Sequence, residues 1–298
     1  MPEHTWNHAV TGQAFGTGCV PPSPTHRVLM AGRPYSGQFA SYSRDDIIAA
    51  VKAGKGSLAS FCYAILNQGS EPLCWTEGPT QALMVMANIL YGDQAILDPS
   101  PIPVICRNYG GGAITDAIET VQSVYGQPDA QYMGVDPRQA QWQFNLRSGW
   151  QAEAKKRIIP PGLWTNNQSV LDFASGIING HPVCYGSTLP YGGHCMCALE
   201  VSLDSDGHSF VFAGPQSWGA DWANDTGSYP GRPGWWQIRE SVLNRGGAFS
   251  PDGLGSYSLI GLTDMAIAPP GDSPHVRMRG MATVYKHGHE YRVMRMAA

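Results

Sequence analysis

Cys74 follows a turn, Gly69-Ser70-Glu71-Pro72, and opens the longest helical pattern in the chain, in which Leu83, Met86, Ala87 and Leu90 recur at helix spacing. A thiol at a helix N-terminus feels the positive end of the dipole, which favours thiolate. A lone cysteine is more commonly a buried structural thiol, so its meaning depends on its partners. Just upstream, Gln68 can place an amide donor beside the sulfur. With the Cys74 N–H it would form the donor pair of an oxyanion hole. Trp75 would pack beneath that site. Downstream, Gly192-Gly193-His194 opens an apolar strand, and Gly214-Pro215-Gln216-Ser217-Trp218 follows the next one. The Gln216 amide can fix the tautomer of His194, with Trp218 shielding the bond. Nucleophile, base and orienting group are the parts of nucleophilic acyl chemistry.

Those residues need elements to position them. Ser43-Arg44-Asp45-Asp46 caps a short amphipathic helix carrying Ile47, Ile48 and Val51. The Cys74 helix runs to Leu90, and Gly78-Pro79 is expected to bend or loosen its first turns. Helices are also expected from Ile114 to Val124, preceded by Gly110-Gly111-Gly112, and from Gln168 to Asn179. Residues 126–166 read as surface loops. From Pro182 the chain reads as strands: Pro182–Tyr185, His194–Val201, His208–Ala213, Trp235–Arg239 and Ser256–Ala266, with Pro269-Pro270-Gly271-Asp272 as a boundary. A C-terminal hairpin is expected around Lys286-His287-Gly288-His289. Helices first and strands later imply an α+β protein with an antiparallel sheet.

At this level the motifs resemble the papain-like cysteine peptidase family. Asn67-Gln68-Gly69-Ser70-Glu71-Pro72-Leu73-Cys74-Trp75 is similar to that family's nucleophile motif. Gly193-His194 before an apolar strand is similar to its histidine motif. Gln216-Ser217-Trp218-Gly219-Ala220-Asp221-Trp222 resembles its Asn-Ser-Trp-Gly motif, and Gly234-Trp235-Trp236-Gln237-Ile238 the strand after it. The four elements come in family order over Ser57 to Asp264, and the partners follow Cys74 near the ~130–150-residue spacing expected of them. The resemblance implies a two-lobe fold, a helical lobe plus an antiparallel sheet or barrel lobe. It also implies Cys74 as nucleophile, His194 as general base and acid, Gln68 as oxyanion donor and Gln216 in place of the orienting Asn. Gly111 and Gly112 would border the substrate cleft, Ala113 and Ile114 would line the pocket beside it, and Trp75 and Trp218 would complete it. No cofactor is implied.

The chain departs from the family at Gln216, at Glu71, which stands where secreted members carry a disulfide cysteine and puts negative charge near Cys74, and at Gly78-Pro79. Its flanks also differ. The expected division is an irregular arm with one short helix at 1–56, the papain-like domain at 57–266 (57–180 mainly helical, 181–266 sheet-rich), and an extension at 267–298. Such an arm must lie on its own domain or on a neighbouring subunit. This raises a competing expectation, a structural or assembly protein such as a particle component, self-associating through arm and hairpin, that reuses the scaffold with weak or no activity. An arm folded onto its own cleft in a monomer would speak against it, whereas a blocked cleft favours the scaffold.

Composition narrows the classes further. The chain has 298 residues, 43% hydrophobic but only 14% charged, with net charge −4. The longest basic run is Lys155-Lys156-Arg157, so no nucleic-acid footprint is expected. No apolar run approaches the ~20 residues of a membrane span, and no secretory leader is read at the N-terminus. Seven cysteines, an odd number without that signal, suggest a reducing compartment, cytoplasmic or inside an assembled particle. His194-Cys195-Met196-Cys197 is expected to split its ligands across two faces of a strand, so no metal site is read there. Asp204-Ser205-Asp206-Gly207 reads as a turn.

Overall fold

A computed structural model describes residues 5–7, 14–22, 41–159, 163–189, 192–222, 232–250, 253–260, 281–286 and 289–294. Strands β1 (Thr5–Asn7) and β2 (Ala14–Gly16) pair antiparallel. Helix α1 is Arg44–Lys52, and its Ser43 cap makes the reciprocal bonds of a capping box with Asp46. Helix α2 is Cys74–Tyr91 and α3 is Pro101–Cys106, followed by a π-helical run, Asp116–Gln122. Short helices α4 (Ala130–Met133) and α5 (Trp150–Ala154) lead to β3 (Trp164–Asn166) and α6 (Val170–Ile178). Then come β4 (Val183–Ser187), β5 (His194–Ala198), β6 (Glu200–Leu203), β7 (Phe210–Pro215), β8 (Trp235–Arg239), α7 (Glu240–Arg245) and β9 (Ser256–Leu259). Strands β10 (Met281–Lys286) and β11 (His289–Met294) form an antiparallel hairpin.

Two antiparallel sheets, ordered β3-β9-β4-β5 and β6-β7-β8, carry the later part of the chain. They meet where β5 passes into β6. Leu199, between them, donates its N–H to Ala213 O at 2.9 Å. A Cβ on Gly214 would sit 1.9 Å from Cys197 O, so β7 crosses β5 in near backbone contact.

Helix α2 is buried from Cys74 to Ile89. A helix buried all round must satisfy its polar side chains locally. Thr76 donates to Leu73 O (2.8 Å), Thr80 to Thr76 O (2.6 Å), Gln81 to Ala64 O (2.9 Å) and Asn88 to Phe61 O (2.9 Å). The exception is Glu77, whose two carboxyl oxygens have no hydrogen-bond partner among the described residues.

Pro79 lies inside a continuous α2. Gly78 has a packing reason: a Cβ on it would lie 2.5 Å from Cys195 Sγ, so the glycine lets α2 settle against β5. The N-terminal arm is not wholly irregular, because 5–7 and 14–16 pair; three-residue strands are too short to show a period. Residues 126–166 are not all surface loop. Trp150 and Trp164 are buried, and Trp164–Asn166 adds a strand to the sheet beside β9. The expected helix 114–124 is largely wound as the π-helical run. Residues 261–266, the 269–272 boundary and the tip of the last hairpin lie outside the described residues.

Candidate active site

Two loops knit the site together. Gln68 donates its backbone N–H to Ser217 O at 2.8 Å, Asn67 bridges Trp218 in antiparallel fashion, and Ser217 Oγ donates to Gln68 Oε1 at 2.6 Å. The Gln68 segment and the Gln216 segment are thus locked to one another. Helix α2 starts five residues beyond the Gly69 turn and β5 packs along it, so Cys74 and His194 open two elements packed on one another.

Cys74 is the first residue of α2, with no side-chain cap competing for the helix dipole. Its sulfur meets the backbone N–H of Cys195, the residue after His194. His194, at the mouth of β5, has its Nε2 2.5 Å from Gln216 Oε1. The same oxygen accepts from the Ser217 N–H at 2.9 Å. A backbone N–H only donates, so this atom is the amide oxygen, and His194 must donate to it from Nε2. In the neutral imidazole Nδ1 is then the basic nitrogen. Trp218 stacks on the His194 ring, centroids 4.5 Å apart and planes 24° apart. The extra methylene of Gln216 does not prevent the bond.

Gln68 donates its side-chain amide to Glu71 O at 2.6 Å. Glu71 therefore contributes its backbone carbonyl here, and the residue itself is exposed. Trp75 is fully buried and donates to Gly110 O at 2.8 Å; a Cβ on Gly112 would lie 2.5 Å from its ring. Trp75 is the floor beneath the Gly110–Gly112 segment. Ala113 and Ile114 follow and are buried.

The cleft is occupied by the chain itself, which the sequence did not reveal. Gly112 donates to Gly18 O at 2.8 Å and accepts from Val20 N–H at 3.0 Å, so Cys19 pairs with Gly112 in the parallel sense. On the other side Gly193 O accepts from Gly18 N–H (3.1 Å) and Cys19 N–H (2.8 Å). The N–H groups of Gly18 and Cys19 also face the Cys74 sulfur. The only sequence signal for this seat is the small-residue run Gly16-Thr17-Gly18-Cys19.

Burial sets the electrostatics of the covered state. It pushes the Cys74 thiol up, reinforced by the nearby Cys19 thiol and opposed by the three N–H groups. It pushes His194 down to about 4, against the Gln216 bond, which favours the charged ring. Both groups are neutral near pH 7 while the segment is in place. Among the described residues no cluster of three or more His, Cys, Asp or Glu side chains is arranged to hold a metal ion, and no helix is long and apolar enough to cross a membrane.

No family model and no curated protein matches the sequence. Solved structures do match the fold. Xylellain, a cysteine protease from Xylella fastidiosa, superposes with TM-score 0.55 at 15% identity, over 82% of this chain and 96% of that one. The digestive procathepsin L 3 of Tenebrio molitor gives 0.51 at 13% identity, over 78% and 85%. The Amb a 11 cysteine protease of ragweed pollen, in its proform, gives 0.51 at 13% identity, over 81% and 74%. The chain has the papain-like cysteine protease fold, helices with an antiparallel sheet region.

Proposed function

We propose that this chain is a papain-like thiol peptidase held in a latent state by residues 17–20. The fold is that of proteases, and the observation that supports the activity is the His194–Gln216 bond at the start of a strand packed against the buried helix that Cys74 opens. In the open state Cys74 Sγ attacks the carbonyl carbon of a peptide bond, its proton passing to His194 Nδ1. The Gln216 oxygen holds the Nε2–H and so keeps Nδ1 free for that proton. The Gln68 amide and the Cys74 N–H hold the developing oxyanion. His194 then donates the proton to the leaving amine, and water, deprotonated by His194, releases the acyl group from sulfur. Substrate backbone takes the groups now held by the arm: Gly112 N–H, Gly112 O and Gly193 O. Re-exposure to water reverses the burial penalties, and the helix dipole then favours the thiolate.

One observation favours a second reading, an assembly protein that reuses the fold without turnover: Cys74 and His194 are both 0% exposed. That the cover comes from the chain itself favours latency. A peptidyl electrophile with a thiol-reactive warhead separates the readings. It is expected to modify Cys74 selectively, with Cys74→Ala abolishing both adduct and peptide hydrolysis. A chain that neither labels nor hydrolyses, even with the arm displaced, is the scaffold.

A further inference from the structure

The slot that holds Gly18-Cys19 is walled by glycines. A Cβ on Gly111 would lie 2.5 Å from Gly18 O, and one on Gly193 would lie 2.9 Å from Cys19 O. A Cβ on Gly18 itself would lie 2.2 Å from Pro72 O. The fourth wall is Gly186 in β4, where a Cβ would lie 2.9 Å from Cys19 Sγ. Gly186 pairs directly with Cys195 of β5. Cross-strand partners carry their Cβ positions on one face, roughly 4.5–5.5 Å apart. Because Gly186 lacks one, the Cys19 sulfur occupies that space, on the sheet face that carries the Cys195 side chain. Cys195 is fully buried and Cys19 is 5% exposed, and all seven cysteines are free thiols. Cys74 meets the arm differently, through the Gly18 and Cys19 backbone N–H groups.

We propose that Cys19 and Cys195 are an oxidation site, whose disulfide ties residues 17–20 across the cleft and makes the block covalent while Cys74 beneath it stays a thiol. The inference rests on the covered cleft and not on turnover by Cys74. With hydrogen peroxide as oxidant, the edge thiol Cys19 attacks one peroxide oxygen, giving a sulfenic acid and one water. The Cys195 sulfur then attacks the Cys19 sulfur, the S–S bond forms, and the hydroxyl leaves with the Cys195 proton as a second water. Two thiols are oxidised by two electrons and one peroxide is reduced to two waters. A dithiol reductant reverses the step by exchange.

The test uses the full chain. It is treated with peroxide, remaining thiols are alkylated, and the digest is mapped by mass. A Cys19–Cys195 peptide pair, lost on reduction and absent from Cys19→Ser and Cys195→Ala, is expected. Alkylation of Cys74 should slow at least about tenfold on oxidation and recover on reduction. A Cys19–Cys74 pair, no pair containing Cys19, or an unchanged Cys74 alkylation rate overturns the proposal. Failure of the peptidase reading looks different: the reduced protein hydrolyses nothing, and the mapped bridge is unaffected.

Discussion

Gln216 performs its task with a single atom. Its Oε1 accepts from both His194 Nε2 and the Ser217 N–H, so the backbone bond fixes the amide and the amide fixes the imidazole. Removing it leaves His194 free to carry its proton on either nitrogen, and a ring protonated at Nδ1 cannot take the Cys74 proton. Gln216→Ala is expected to lower kcat on a peptide amide by on the order of 10²-fold with little change in KM. Gln216→Asn, which shortens the reach by one methylene, should fall between. Steady-state kinetics together with the pH profile of kcat check this. Equal loss in both variants, with an unmoved profile, would make Gln216 a packing residue.

At the scale of elements, the control lies in a short extended segment with hardly any side chains. Residues 18–20 seat through backbone bonds to Gly112 and Gly193, so position 18 is the point at which seating can be disturbed without touching Cys74, His194, Gln68 or Gln216. Gly18→Ala drives a Cβ toward the Pro72 carbonyl, which is backbone and cannot give way cheaply. Overpacking of this kind costs about 1–3 kcal/mol, so the ratio of covered to open state should fall roughly tenfold and the open fraction rise by the same factor. Iodoacetamide labelling of Cys74 should accelerate by that factor. An unchanged rate would mean that the segment does not guard the thiol.

The same contrast explains what was legible in the sequence. Helices α2 and α6 announce themselves by apolar period, and β8 by its paired tryptophans. Cys74, His194 and Gln216 announce themselves by residue type next to turn glycines. The arm's seat has no such signature, because main-chain N–H and C=O groups are the same in every residue. The seat shows only in the absence of side chains at Gly18, Gly111 and Gly186, and in turn-prone sequence those glycines read as loop. β3 is too short for periodicity, and Gly78-Pro79 reads as a bend in the helix, with no sign in the sequence that Cys195 packs against Gly78.

For the whole molecule, one buried acid should leave its own mark on the pH dependence of stability. Glu77 is buried in α2 with no hydrogen-bond partner among the described residues, and burial, helped by the Asp98 charge, holds its carboxyl well above the usual 4.5. Its folded-state value exceeds the unfolded one, so its contribution is fully present below about 4.5 and is lost as pH rises toward the folded value. The other shifted groups act elsewhere. Burial lowers His181 and His194 to about 4 from 6.5, so stability falls as pH drops through that window, when the unfolded chain protonates first. Asp98, raised by burial to about 6 from 3.8, acts between those values. The buried cysteines act above their usual 9. The histidine, Asp98 and cysteine shifts are common to the wild type and to Glu77→Gln, so the difference between the two proteins isolates Glu77. Above about pH 4.5 the stability of the wild-type chain should therefore fall relative to that of Glu77→Gln as pH rises, with a slope of up to about 1.4 kcal/mol per pH unit. Glu77→Gln keeps the shape and removes this titration, so its melting temperature should rise relative to the wild type's as pH increases above about 4.5. Parallel curves for the two proteins would show that Glu77 ionises inside the fold, and the neutral acid beneath the nucleophile's helix would have to be abandoned.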